Sequence, residues 1–297
     1  MQNLKIFFSN NYLAIILFFF SVFICHFTGN RGVFPIDSFS HFDNAFRILK
    51  GDHPFKDYWV VSGPFIDYFQ SLIFFIFGTN WQTYILSASL LNGILSLIIY
   101  SLFNYFGLHS RYSFFYAACF SILAYPSSGT PFVDHHSTFL SILTLNIFIW
   151  SMIRDKAYQW FLIPILMVFA FLSKQVPSTY IFFIIIIILS FHLIFQKKKN
   201  IFKILSIIFI SSFSSIIFFF LFLNLNNIEF QNFLIQYIYY PRSLGGERFY
   251  NLNYDFKNLF LDFKFIYLSL ILLTYLIINN LINQKNYYKK INFKTYL

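Results

Sequence analysis

Uninterrupted apolar runs of roughly 20 residues recur along the whole chain, each long enough to cross a hydrocarbon core about 30 Å thick. Only 11% of the residues are charged, whereas 58% are hydrophobic and 24% aromatic. A soluble domain carries about a quarter charged residues, so this composition excludes that class. The expected fold is an all-α integral membrane protein with about eight transmembrane helices.

Candidate spans fall near residues 11–28, 81–106, 112–126, 137–153, 158–173, 178–195, 203–223 and 264–283. A further apolar stretch near 64–78 follows Gly63-Pro64 and is short for a crossing, which predicts an interfacial or re-entrant helix. If that stretch does not cross and the N-terminus is inside, twelve of the 21 basic residues fall in inner loops, Lys197-Lys198-Lys199 and Lys289-Lys290 among them. Ten of the 11 acids then fall in outer loops, leaving Asp155 alone inside. Letting 64–78 cross would reverse every later loop, against the positive-inside bias. The expectation is a single polytopic domain over 1–297 in a plasma membrane, with both termini cytoplasmic. Its outer loops would lie at about 29–80, 127–136, 174–177 and 224–263.

The first apolar run, Tyr12 to Phe27, has no small-residue cleavage pattern after it and is read as a retained span. Cys25 and Cys119 both fall in predicted spans, so no disulfide framework or thiolate metal site is implied. The net charge of +10 is gathered beside apolar runs, which is membrane patterning rather than a nucleic-acid surface. No pair of matching halves is visible, which counts against a transporter built from inverted repeats.

The loop sequence with chemical variety lies on the outer face, where binding or reaction is expected. Phe39, Phe42, Phe46 and Leu49 recur at three and four, predicting an amphipathic helix over 38–50 that ends at Gly51. Asp37 stands at the predicted N-cap, where a carboxylate is favoured by free N–H groups and the helix dipole. Then come Asp52-His53-Pro54-Phe55-Lys56-Asp57 and Ser62-Gly63-Pro64. Further along, Asp134-His135-His136 opens the fourth span, Ser173-Lys174-Gln175 closes the fifth, and Arg242 and Arg248 flank Gly245-Gly246 in a predicted loop.

This order of elements resembles the GT-C superfamily of membrane glycosyltransferases, in particular its bacterial protein-mannosyltransferase-like and aminoarabinose-transferase-like branch. The resemblance runs over roughly residues 12–250. It rests on Asp37, the apolar helix, Gly51, Pro54-Phe55-Lys56-Asp57, Gly63-Pro64-Phe65, Thr130 to Ser137, Phe171 to Gln175, and Tyr240 to Phe249. The sequence departs at Ser38, where the family often has Glu, and at Gly63, where a second Pro is usual. Family members are commonly longer, so the chain reads as a compact member, a fragment or a degenerate copy.

The resemblance implies an inverting transfer of a sugar from a polyprenyl-phosphate donor to an unidentified glycan, lipid or protein acceptor. That chemistry needs a carboxylate to activate the acceptor and cations to stabilise the departing phosphate. Asp37 is the candidate base, against a capping or ion-pair role, with Asp43 in reserve. Lys174, Arg242 and Arg248 are candidates for donor phosphate, since guanidinium binds phosphate bidentately. The alternatives are a snorkelling lysine and solvated loop arginines, one paired with Glu247. Asp134, His135, His136 and Asp57 are candidates for substrate binding. Adjacent histidines cannot both face one point on a helix, so no metal site is assigned, and the sequence requires no cofactor. Competing readings are a lipid-linked-glycan transporter or flippase and an inactive or fragmentary relative.

Overall fold

The computed structural model describes residues 2–32, 35–124, 129–195, 201–250 and 255–283. These residues form helices joined by short connections, and the only strand-like pairing among them is an isolated bridge between Pro54 and Tyr58. The chain forms two compact units, Met1–Tyr240 and Pro241–Leu297.

The first unit contains α1 (Gln2–Gly29), α2 (Pro35–Lys50), α3 (Pro64–Phe77), α4 (Trp81–Tyr105) and α5 (Ser110–Leu123). It continues with α6 (Val133–Arg154), α7 (Ala157–Ser173), α8 (Gln175–Phe195), α9 (Ile201–Leu225) and α10 (Phe230–Phe233), then a π-helical stretch Leu234–Tyr239. Helix α11 (Tyr240–Tyr250) leads into the second unit, which holds α12 (Phe256–Asp262) and α13 (Lys264–Asn283). Residues 240–249, expected as a loop, are therefore helical. The chain enters them from a turn that is already wound, so no new helix nucleus is needed and the paired glycines do not break it.

Among the described residues, five helices are long and apolar enough to cross a membrane: Asn11–Gly29, Trp81–Tyr105, Val133–Arg154, Gln175–Ile194 and Ile201–Leu225. Helices α3 and α7 are apolar but shorter, at 14 and 17 residues. The fold is all-α and of membrane-protein type. Where apolar burial gives little drive, small residues and interhelical hydrogen bonds hold such helices together. The Asn92 side chain donates to the Ser21 and Ser121 carbonyls, each at 3.0 Å, tying α4 to α1 and α5. A Cβ at Gly93 would stand 2.9 Å from Phe18 and Val22, so α1 and α4 pack too closely there for a larger residue. Helices α6 to α9 share an apolar core around Phe148, Trp160, Ile163, Met167, Ile185 and Ile204.

Helix α2 is amphipathic, but its buried face differs from the one its aromatic residues suggest. Ser38, His41 and Ala45 are buried, with Phe42 and Leu49 packed beside Ala45, Phe74 and Tyr84. Phe39 and Phe46 point outward, Phe39 leaning on Trp81. The face is chosen by hydrogen bonds of His41 and Ser38, which leave no place for a strictly apolar stripe. The helix also begins at Pro35, so Asp37 lies inside its first turn and is not the N-cap.

Candidate functional site

The C-termini of α1, α5, α7 and α9 and the N-termini of α4, α6 and α8 gather at one end of the first unit with α2 and α3. Backbone-to-backbone contacts close this end. A Cβ at Gly29 would lie 2.4 Å from the Gly129 carbonyl oxygen, and one at Gly63 would lie 1.9 Å from that of Leu172. The Gly63 N–H donates to the Ser173 carbonyl at 3.0 Å. A proline at this position would have no hydrogen for that bond. Ser38 is fully buried, its hydroxyl 2.8 Å from that of Thr130, and the Tyr84 hydroxyl donates to its carbonyl at 2.7 Å.

Lys174, just past the end of α7, reaches across to the first turn of α6. Its Nζ sits 2.6 Å from Asp134 Oδ1 and 2.7 Å from Oδ2, with both side chains about two-fifths open to solvent. The lysine backbone is pinned as well, because Ser137 and Ser178 both donate to its carbonyl, at 3.0 and 2.8 Å. Below this pair a cavity of about 410 Å³ opens between α7, α8 and α9, walled by Met167, Val168, Phe171, Phe182 and Ile216. Ser178 and Thr179 are its polar wall residues, and the Ser178 hydroxyl that holds the Lys174 carbonyl connects this apolar groove to the lysine backbone.

A second, deeper cluster locks α2 onto α3. Asp67 is fully buried and accepts from His41 Nδ1 at 2.7 Å and from the Asn44 amide at 3.0 Å. Three residues on, buried Gln70 accepts from the Ser87 hydroxyl of α4 at 2.5 Å. The phenols beside this cluster are held above their usual range, Tyr58 and Tyr68 by burial first and the Asp67 charge second. His53, 2.9 Å from the Tyr68 hydroxyl, is held below the usual imidazole range by burial and then by neighbouring Lys56. From the far side Gln236 accepts from the Val60 N–H at 2.9 Å, and the Tyr237 hydroxyl donates to the Phe171 carbonyl. The π-helical stretch thereby clamps both the 53–60 loop and the end of α7.

Of the residues singled out in the sequence, the structure joins Asp134 with Lys174. Asp37 is exposed on α2, makes no side-chain bond to another described residue, and sits one residue from the Ser38–Thr130 contact. Asp43 forms an exposed i,i+4 pair with Arg47 at 2.8 Å. Asp57 accepts from the His53 N–H at 2.8 Å and closes its own loop. The two histidines diverge as expected: His136 is buried with Nδ1 3.3 Å from the Phe132 carbonyl, whereas His135 lies half-buried between Phe132 and Phe139. Arg242 is exposed in the second unit, and the side chain of Arg248 lies outside the described residues. No group of three or more metal-ligating side chains occurs among the described residues. Sequence reasoning did not single out His41, Asn44, Asp67 and Gln236, whose partners lie up to 181 residues away. Comparison with family models, curated proteins and solved structures yields no match for this chain.

Proposed function

We propose that this chain is a membrane glycosyltransferase that takes a sugar from a polyprenyl-phosphate carrier at the outer face of a bacterial plasma membrane. The observation that carries this reading is the half-exposed Asp134–Lys174 pair, whose lysine backbone is held by Ser178, a wall residue of the apolar groove between α7, α8 and α9. A carrier lipid needs an apolar path and a cation, and an apolar groove and an ammonium on adjoining residues support that reading. Asp134 keeps the ammonium in place until a phosphate exchanges for the carboxylate.

In the transfer, the acceptor hydroxyl gives its proton to Asp37 and its oxygen bonds to the anomeric carbon. The bond from that carbon to the carrier phosphate breaks, and polyprenyl phosphate leaves with its charge against Lys174. Asp37 suits the base because it is exposed and adjoins Ser38, whose hydroxyl meets that of Thr130, four residues before Asp134 in the chain. Asp43, committed to Arg47, is the weaker candidate. Arg242 and Arg248 join this proposal as further phosphate contacts. Eight crossings, with α5, α7 and α13 added to the five long helices and both termini cytoplasmic, belong to it too.

The test is a transfer assay in proteoliposomes with a panel of polyprenyl-phosphate sugars, comparing the unmodified protein with Asp37→Asn. Release of polyprenyl phosphate that disappears in the variant is expected. Release unchanged in a folded Asp37→Asn sample removes the base. A transporter reading finds its best support in the buried Asp67–His41 pair, since ionisable groups inside transporters mark ion pathways. That pair, however, joins α2 to α3 at the loop end and sits on none of the five long helices.

A further inference from the structure

A second cavity, of about 420 Å³, lies between α5 and α6, and Asp134 forms part of its wall. Helix α5 packs mainly on α1 and α4 and α6 mainly on α7 and α8; the two meet at Phe120 and Phe139, whose rings lie 6.3 Å apart, and the cavity is a groove along that contact. Its sides are Phe120 and Leu123 of α5 and Phe139 and Ile142 of α6; its upper end is Asp134 and His135. Leu123 is 78% exposed, so its side of the groove is open among the described residues. From Asp134 to Ile142 the groove descends about 12 Å along α6 at 1.5 Å per residue. One leaflet of the hydrocarbon core is about 15 Å deep, so the groove matches the reach of an acyl chain in a single leaflet.

We infer that this groove seats the acceptor, and that the acceptor is a membrane lipid with a neutral, hydroxylated head group. The word acceptor rests on the glycosyltransferase reading above; the groove and its lipid stand on the residues just described. Asp134 and Lys174 neutralise each other, so the upper end gains little from a charged head group. The carboxylate still has lone pairs directed away from the ammonium, and a head-group hydroxyl donates to them. Asp134 thereby faces one groove, while its partner Lys174 is tied through its carbonyl to Ser178, which lines the other. Both substrates reach one ion pair from within the bilayer, from opposite sides of α6 and α7. In the transfer the lipid's hydroxyl oxygen forms the glycosidic bond, its proton passes to Asp37, and the carrier phosphate departs.

The experiment uses the full chain in phosphatidylcholine nanodiscs and two photoreactive probes. One is a monoglucosyl diacylglycerol with a diazirine in its acyl chain; the other is a polyprenyl phosphate with a diazirine in its isoprenoid chain. The glycolipid probe is expected to label residues between Phe120 and Ile142, saturably and in competition with unlabelled glycolipid. Thr138→Trp, and from the opposite wall Leu123→Trp, should abolish that labelling while leaving polyprenyl-phosphate labelling of 164–183 intact. Labelling that does not saturate, or that a diazirine-bearing phosphatidylcholine reproduces equally, would show simple contact with bulk lipid and overturn the inference. So would labelling that survives both tryptophan variants. The polyprenyl probe separates the two ideas: if its labelling ignores Lys174→Ala, the donor reading falls while the glycolipid groove stands.

Discussion

Lys174 holds Asp134 through both carboxylate oxygens, yet each side chain remains about two-fifths exposed. Partly solvated pairs of this kind contribute about 0–1 kcal/mol to stability, because water already serves both charges and ordering the lysine offsets the Coulomb gain. The same ammonium set against a phosphate is a charge-assisted contact worth about 1.5–3 kcal/mol. Lys174→Ala should therefore fold normally and raise the donor's apparent KM roughly ten- to a hundredfold. Thermal melting and steady-state kinetics on one preparation check both halves. A large loss of stability with unchanged KM would make Lys174 a structural residue. This residue was legible in the sequence because an ammonium beside an apolar helix end is rare. Its partner was legible as a substrate-binding candidate opening the fourth span, but the pairing was not, since nothing local in the sequence links positions 134 and 174.

Helices α2 and α3 show why pattern reading recovers elements more readily than faces. Both helices were visible from spacing and from Gly63-Pro64, and both occur. The buried side of α2 was not, because it is set by His41 meeting Asp67 from 26 residues away. Breaking a buried pair by removing one member costs about 3–5 kcal/mol, because the other is left without its partner. His41→Ala and Asp67→Ala should each lower stability by about that amount, and the double variant by clearly less than the sum. Thermal denaturation of the three purified variants measures it, and additive losses would mean the two side chains act independently. Gly63 belongs to the same junction. An alanine there places Cβ 1.9 Å from the Leu172 carbonyl oxygen, which forces the 53–63 loop and the end of α7 apart. Since Lys174 follows immediately, Gly63→Ala should both lower the melting temperature and weaken donor binding. Gly51→Ala makes a useful comparison: nothing stands within 4 Å of its Cβ, and only the left-handed backbone (φ +102°) is strained. It should lose stability and leave donor binding unchanged.

For the whole molecule, the distribution of charge and the positions of the helix ends describe the same asymmetry. In the first unit Asp37, Asp43, Asp52, Asp57, Asp67, Asp134 and Glu229 all lie at the loop end, whereas Asp155 lies at the opposite end, near Arg111, Arg154 and Lys156 in the helix order. The succession of helices was readable from hydropathy because length and apolarity are local properties. The grooves were not, because they depend on how closely helices distant in sequence pack along their length. Cationic loops are retained in the cytoplasm during insertion, so the loop end should face outward. Single cysteines in a Cys25→Ala, Cys119→Ala background test this. Lys56→Cys, exposed at the loop end, should react with a membrane-impermeant maleimide in intact protoplasts. Lys156→Cys, exposed between α6 and α7, should react only after permeabilisation. The reverse pattern would put the Asp134–Lys174 pair in the cytoplasm, where soluble nucleotide-activated sugars are available, and a lipid-linked donor would lose its rationale. The expected pattern leaves this face of the molecule no sugar donor except one carried by the membrane itself.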